Sequence, residues 1–133
     1  MLQVFEQSKS HSLPAIVPSQ KSETDDDPKG ERGLFCKECR TLITLPRERI
    51  AVDGQHLYRF SNPHGIIFLI GCFRTVRHCW AEGKPEEFWS WFPDHAWQII
   101  RCEGCGQHLG WKYSNSHDVF FGLVMTSLME GAL

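Results

Sequence analysis

Four cysteines fall in two Cys-x-x-Cys pairs, Cys36 with Cys39 and Cys102 with Cys105. That spacing lets two sulfurs converge at one tight turn, and two such turns offer four soft ligands to a single ion. Four thiolates at about 2.3 Å from Zn²⁺ close a tetrahedral shell and leave no position for substrate, so the zinc predicted here is structural. Gly104 and Gly106 relax the backbone of the second pair. About sixty residues separate the pairs, against about 15–20 in a compact zinc finger, so the ion is expected to staple distant parts of one domain.

A second constellation surrounds Cys102 and Cys105. The stretch WSWFPDHAWQIIRCEGCGQHLGWKY holds four of the five tryptophans: Trp89, Trp91, Trp97 and Trp111. Large aromatics dominate small cores, so burial is the plain reading of these side chains. Pro93 argues for another, because it ends the run after Phe92 and puts Trp91 on a loop. Trp97 and Trp111 are expected on strands flanking the second cysteine pair, where a metal would fix their rings. Three indole faces set at right angles form a box for a small, flat or cationic group. Asn62, just before Pro63, is a candidate polar contact at its rim.

The remaining reactive side chains carry less. Cys72, inside IIFLIGCF, reads as a small buried hydrophobe and Cys79 as an incidental thiol; their spacing is not a redox motif. The seven histidines lack metal-ligand spacing, and His108 is expected to pack or hydrogen-bond beside the second pair.

These groups must be positioned by short strands. Turn signals separate candidate strands at 41–45, 50–52, 57–60, 65–76, 96–101, 109–113 and 119–125, all rich in β-branched and aromatic residues. Short helices are expected at 77–82 and 126–130. Residues 1–33 read as a flexible N-terminal tail, rich in Ser, Pro, Asp, Lys and Gly and without periodicity, and 34–133 as one mostly-β domain. The Asp25–Asp27 run is a solvated patch.

Composition narrows the function classes. A net charge of −2 and a pI near 6.4 give no basic face for a phosphate backbone, so nucleic acid is not an expected partner. No apolar run nears the about 20 residues of a membrane span, and the start lacks the charge and apolar core of a signal peptide. A reducing, cytoplasmic compartment follows, in which paired cysteines bind metal rather than form disulfides.

The segments SNPHGIIF (61–68), SWFPDHAW (90–97), Cys102-x-x-Cys105 and HLGWKY (108–113), in this order, resemble the thalidomide-binding (CULT) domain family of cereblon and its single-domain bacterial relatives. The resemblance spans about Leu34 to Leu128. It implies a β-tent, two antiparallel sheets pinned at their apex by zinc on Cys36, Cys39, Cys102 and Cys105. It implies a tri-tryptophan cage of Trp91, Trp97 and Trp111, with Tyr113 as its floor and Asn62 at its rim. The ligand implied is a glutarimide of the thalidomide type, a uridine-like ring, or a cyclic-imide end of a modified protein. Backbone groups at 89 and 91 would then meet the imide. The sequence departs from the family in having Trp89 where histidine is common, and Asp94 where glycine is common. Trp89 would extend, cap or shield the cage. Trp80 is expected to pack on the scaffold. The ubiquitin-ligase adaptor region of full-length relatives is not expected in so short a sequence.

Two other functions compete. B-type methionine sulfoxide reductases resemble the same tent and share an H-L-G stretch, but their nucleophilic cysteine lies on a late strand, and here none follows Cys105. The other is a protein-interaction module whose tryptophans form the core. Binding without catalysis is the expectation.

Overall fold

The computed structural model describes residues 31–133; the predicted tail, except 31–33, lies outside them. Among the described residues there are nine strands, two 3-10 turns and no α-helix. In sequence order they are β1 (Arg32–Cys36), β2 (Leu42–Thr44), a 3-10 turn (Pro46–Glu48), β3 (Leu57–Ser61), β4 (Ile67–Phe73) and β5 (Cys79–Glu86). There follow β6 (Ala96–Cys102), β7 (His108–Ser114), β8 (Val119–Val124), a second 3-10 turn (Met125–Ser127) and β9 (Leu128–Ala132). A three-stranded sheet runs β9-β1-β2 and a six-stranded sheet β3-β4-β8-β7-β6-β5. Every pairing is antiparallel. This is the expected mostly-β architecture of two antiparallel sheets.

Neither predicted α-helix forms: 77–82 runs into a strand, and 126–130 divides between the second 3-10 turn and β9. Residues 79–86 form the edge strand β5, with Ala81 opposite Ile100 and Cys79 opposite Cys102. Residues 128–132 pair with β1, Leu128 opposite Cys36. Segments this short have little helical preference of their own, and pairing with a neighbouring strand decides them. Residues 50–52 make only isolated bridges, Arg49 with Phe73 and Val52 with Gln55. Trp80, expected to pack, is 45% exposed on the edge strand.

The six-stranded sheet carries a core cluster on each face, with its edge strand β5 mostly exposed. On one face Phe73, Ile100, Leu109 and Leu123 pack with Leu34, Ile43 and Leu128 of the small sheet. On the other, Tyr58, Phe60, Ile70, Cys72, Tyr113, Phe120 and Val124 surround Phe92 from the 87–95 loop. Leu109 and Trp111 are two apart yet belong to opposite faces. The β6–β7 ladder shifts register between Ile100 and Arg101, opposite Gly110. A Cβ on Gly110 would lie 2.1 Å from the Gly122 carbonyl oxygen, so only glycine allows β7 to change faces here.

Candidate functional site

The metal clasp joins the two sheets. Cys36 ends β1, and Cys102 ends β6. Both turns are built alike: Arg40 N–H donates to Cys36 C=O at 2.8 Å, and Gly106 N–H to Cys102 C=O at 2.8 Å. Cys36 N–H donates to Thr41 C=O, as Cys102 N–H does to Gln107 C=O. The fourth residue after each leading cysteine takes the left-handed conformation, Arg40 at φ 69° and Gly106 at φ 80°. The two turns thus share one backbone design on unrelated side chains.

All four sulfurs lie within 4.8 Å of one another. Cys36 Sγ is 3.7 Å from Cys105 Sγ, and Cys39 Sγ is 3.6 Å from Cys102 Sγ. The edge of a tetrahedron with metal–sulfur bonds of about 2.3 Å is about 3.8 Å. The donor set therefore fits one tetrahedral metal ion without rearrangement. The Gly104 N–H points at Cys102 Sγ, 3.3 Å away. The Thr41 hydroxyl, 3.0 Å from Cys39 Sγ, together with its backbone, brings the Cys39 thiol down to about 6 and readies it as a thiolate. Burial pushes Cys36 up, a cost that bound metal offsets.

The aromatic constellation occupies the opposite face of the same sheet. Trp91 stacks on Phe60, centroids 4.8 Å apart at 15°, and meets Trp111 edge to face at 5.1 Å and 75°. Phe68 closes on both, at 6.0 Å from Trp91 and 5.6 Å from Trp111. His108 stands edge-on behind Trp111 at 4.7 Å, its Nε2 donating to Gly110 C=O at 3.0 Å. Trp97 pairs with Tyr113 and Trp111 with Ile99, which sets the two tryptophans on a cross-strand diagonal, their backbones roughly 7–8 Å apart. The Trp97 indole N–H donates to Phe88 C=O at 2.7 Å, tethering the 87–95 loop to β6. All three indoles are half-buried.

The other predicted residues show no ring contact with these indoles. Tyr113 is 1% exposed, stacked on Phe120 and edge-on to Phe92, one layer beneath. The Asn62 Oδ1 accepts from His64 N–H at 2.9 Å and Ile66 N–H at 3.0 Å, so it holds the β3–β4 hairpin. Trp89 is 61% exposed in a left-handed turn at φ 67°. Asp94 is left-handed too, at φ 68°, the conformation that glycine adopts freely. Phe60, Phe68 and Phe92 were not anticipated. Phe60 and Phe68 are register partners across the 62–66 turn, and a pair of phenylalanines set symmetrically about His64 was the signal available.

Cys72 and Cys79 lie outside the clasp. Cys72 is fully buried, and burial raises its thiol far above the usual range. Cys79, half-buried, is pushed up to about 12, first by burial. Among the described residues no helix is long and apolar enough to cross a membrane.

No family model matches this sequence. Cereblon of Drosophila melanogaster is 32% identical over 111 residues, covering 77% of this chain and 19% of that protein. Cereblon of Gallus gallus is 34% identical over 104 residues, covering 72% and 23%, and that of Danio rerio 33% over 106 residues, covering 72% and 24%. The chain thus matches under a quarter of the length of each of these relatives. Among solved structures, the Yippee-like domain of Mis18 aligns with a TM-score of 0.51 at 12% identity, covering 77% of this chain and 97% of that one, a likeness of fold alone. With about a third of its residues identical to cereblon across some three quarters of its length, the chain is a cereblon-like (CULT) domain.

Proposed function

We propose that this domain is a zinc-clasped binding module that receives a flat imide-bearing ring among Trp91, Trp97 and Trp111 and performs no chemistry on it. The ligand class is a glutarimide of the thalidomide type, a uracil- or uridine-like ring, or a cyclic-imide end of a modified protein. One observation carries the reading. Phe92, Tyr113 and Phe120 are buried to 3% or less, while the three tryptophans around them stay partly exposed, two of them edge to face. Tryptophans that served only as core would be covered as these neighbours are.

The chemistry of the ligand agrees with these surroundings. The methylene edge of an imide ring gains from apolar walls, and its N–H and two carbonyls demand partners once desolvated. Among the described residues, the backbone carbonyl of Trp89 and the backbone N–H of Trp91 have no protein partner, so an acceptor and a donor stand beside the indoles. Four cysteine ligands favour zinc as the clasp ion, and a closed shell makes it structural. A reductase would need a reactive thiol, and neither Cys72 nor Cys79 ionises readily.

Titration of the zinc-loaded domain with glutarimide, followed by intrinsic tryptophan fluorescence, tests the reading. Quenching is expected in the wild type, weakened about tenfold or more in Trp97→Ala and Trp111→Ala, as for an aromatic hot spot. An unresponsive wild type with its metal bound would sink the cage.

A further inference from the structure

The loop carrying Trp91 is held from its far side by a contact that depends on charge. His95 Nδ1 lies 2.9 Å from Pro93 C=O, and His95 Nε2 lies 3.1 Å from Asp118 Oδ2. A carbonyl and a carboxylate only accept, so both ring nitrogens must donate. Neutral imidazole has a single N–H; this pair of contacts is complete only for imidazolium. The ring packs edge-on against Phe120 at 5.2 Å, and its side-chain exposure is only 14%.

The partner is itself fixed. Arg74 Nη1 donates to Asp118 Oδ1 at 3.0 Å and to Val119 C=O at 2.7 Å. Arg74 foremost, with His95 beside it, holds the Asp118 carboxyl below the usual carboxylate range. Asp53, Arg74, Asp94, His95 and Asp118 supply the charge around a cavity of about 510 Å³, and Phe92 and Pro93 are part of its apolar wall. Asp53 and Asp94 favour a cationic ring, and the opposing Arg74 is neutralised by Asp118. Asn115 Nδ2 adds a neutral bond to Asp94 C=O at 2.9 Å.

We infer that His95 is a positioning residue for the binding site: its imidazolium latches the Trp91 loop to Asp118, between β7 and β8, and ligand affinity is highest while the latch is closed. This rests on the cage reading above. Phe92 plugs the loop into the sheet, Trp97 ties its early part through Phe88, and His95 secures its last residue. A ring with a single N–H keeps only one of these two bonds. At the acid end the latch opens again when Asp118 takes a proton, later than an ordinary aspartate because its pKa is depressed.

Two measurements on the zinc-loaded domain test the latch. Nitrogen-15 spectra of the imidazole rings, assigned with His95→Gln, are expected to show both His95 nitrogens protonated where glutarimide binds most tightly. The indole N–H signal of Trp91 should shift as that ring titrates, and not in His95→Gln. Glutarimide titrations should show wild-type affinity falling roughly two- to fivefold between about pH 5.5 and pH 8, the scale of a part-exposed charged pair. His95→Gln and Asp118→Asn should flatten that slope. A neutral His95 ring at the lower pH, or an equal slope in wild type and both variants, would overturn the proposal. If glutarimide binds at neither pH, the cage reading fails, and the ring and indole spectra still decide the latch.

Discussion

Two glycines of the second cysteine turn do different work, though the sequence offers them as equals. Gly106 is left-handed at φ 80° with open space where a Cβ would go. Alanine there costs only backbone strain, about 1–2 kcal/mol. Gly104 has no positive φ, but a Cβ would lie 2.4 Å from Thr41 Oγ1 and 2.9 Å from Cys39 Sγ. Gly104→Ala should therefore push the two turns apart and weaken zinc binding about tenfold or more, whereas Gly106→Ala lowers stability with metal affinity nearly intact. Competition with a chromogenic chelator measures the affinities. Thr41→Ala in the Gly104→Ala background should restore part of the loss by removing the colliding hydroxyl. Equal affinities in the two glycine variants would refute the steric account. The four cysteines themselves were legible because each turn is local. The closeness of Gly104 to Thr41 was not, since it depends on how two segments some sixty residues apart meet.

At the level of elements, the 87–95 loop is where the fold is least readable and most consequential. Pro93 located the loop in the sequence, and the three tryptophans stood out by rarity. Trp91 reads as a wall from the sequence, but the role of its neighbour Phe92 as the buried plug was hidden, because only the sheet beneath distinguishes the two. Phe92 meets four rings, Tyr58, Phe60, Tyr113 and Phe120, at 4.7–5.4 Å. Phe92→Ala is expected to cost about 3–5 kcal/mol in chemical denaturation, and Phe92→Leu under about 1.5 kcal/mol. A small loss in the alanine variant would mean that the loop closes over the site without its plug. Two of the edge strands, β5 and β9, escaped the sequence for a related reason. β5 carries Gly83, Lys84 and Pro85, which blunt an exposed edge, and its strand state comes from its pairing with β6.

For the molecule as a whole, the clasp and the aromatic site sit on opposite faces of one sheet and share two strands. β6 runs from Trp97 to Cys102, and β7 follows the second turn to Trp111 and Tyr113. The small sheet is the weaker partner. It has three short strands and one buried face, and its remaining ties include the Thr44 hydroxyl to Thr75 C=O at 2.7 Å and Arg77 N–H to Ile43 C=O at 2.7 Å. Three strands with one apolar face are the lower limit for independent stability. Removing the ion leaves four crowded thiols at the junction and deletes the link between β1 and β6. Chelation should therefore release the small sheet first. In hydrogen exchange, amides of β1, β2 and β9 should lose at least about tenfold more protection than those of β4 and β8, which keep the aromatic face. Uniform loss across both sheets would instead make the domain one cooperative unit, and unchanged protection would deny the metal its structural role. Because β6 and β7 lead out of the clasp, the Trp97–Trp111 pair should loosen before the large sheet melts, and glutarimide binding should fail at a chelator concentration below that which unfolds β4 and β8.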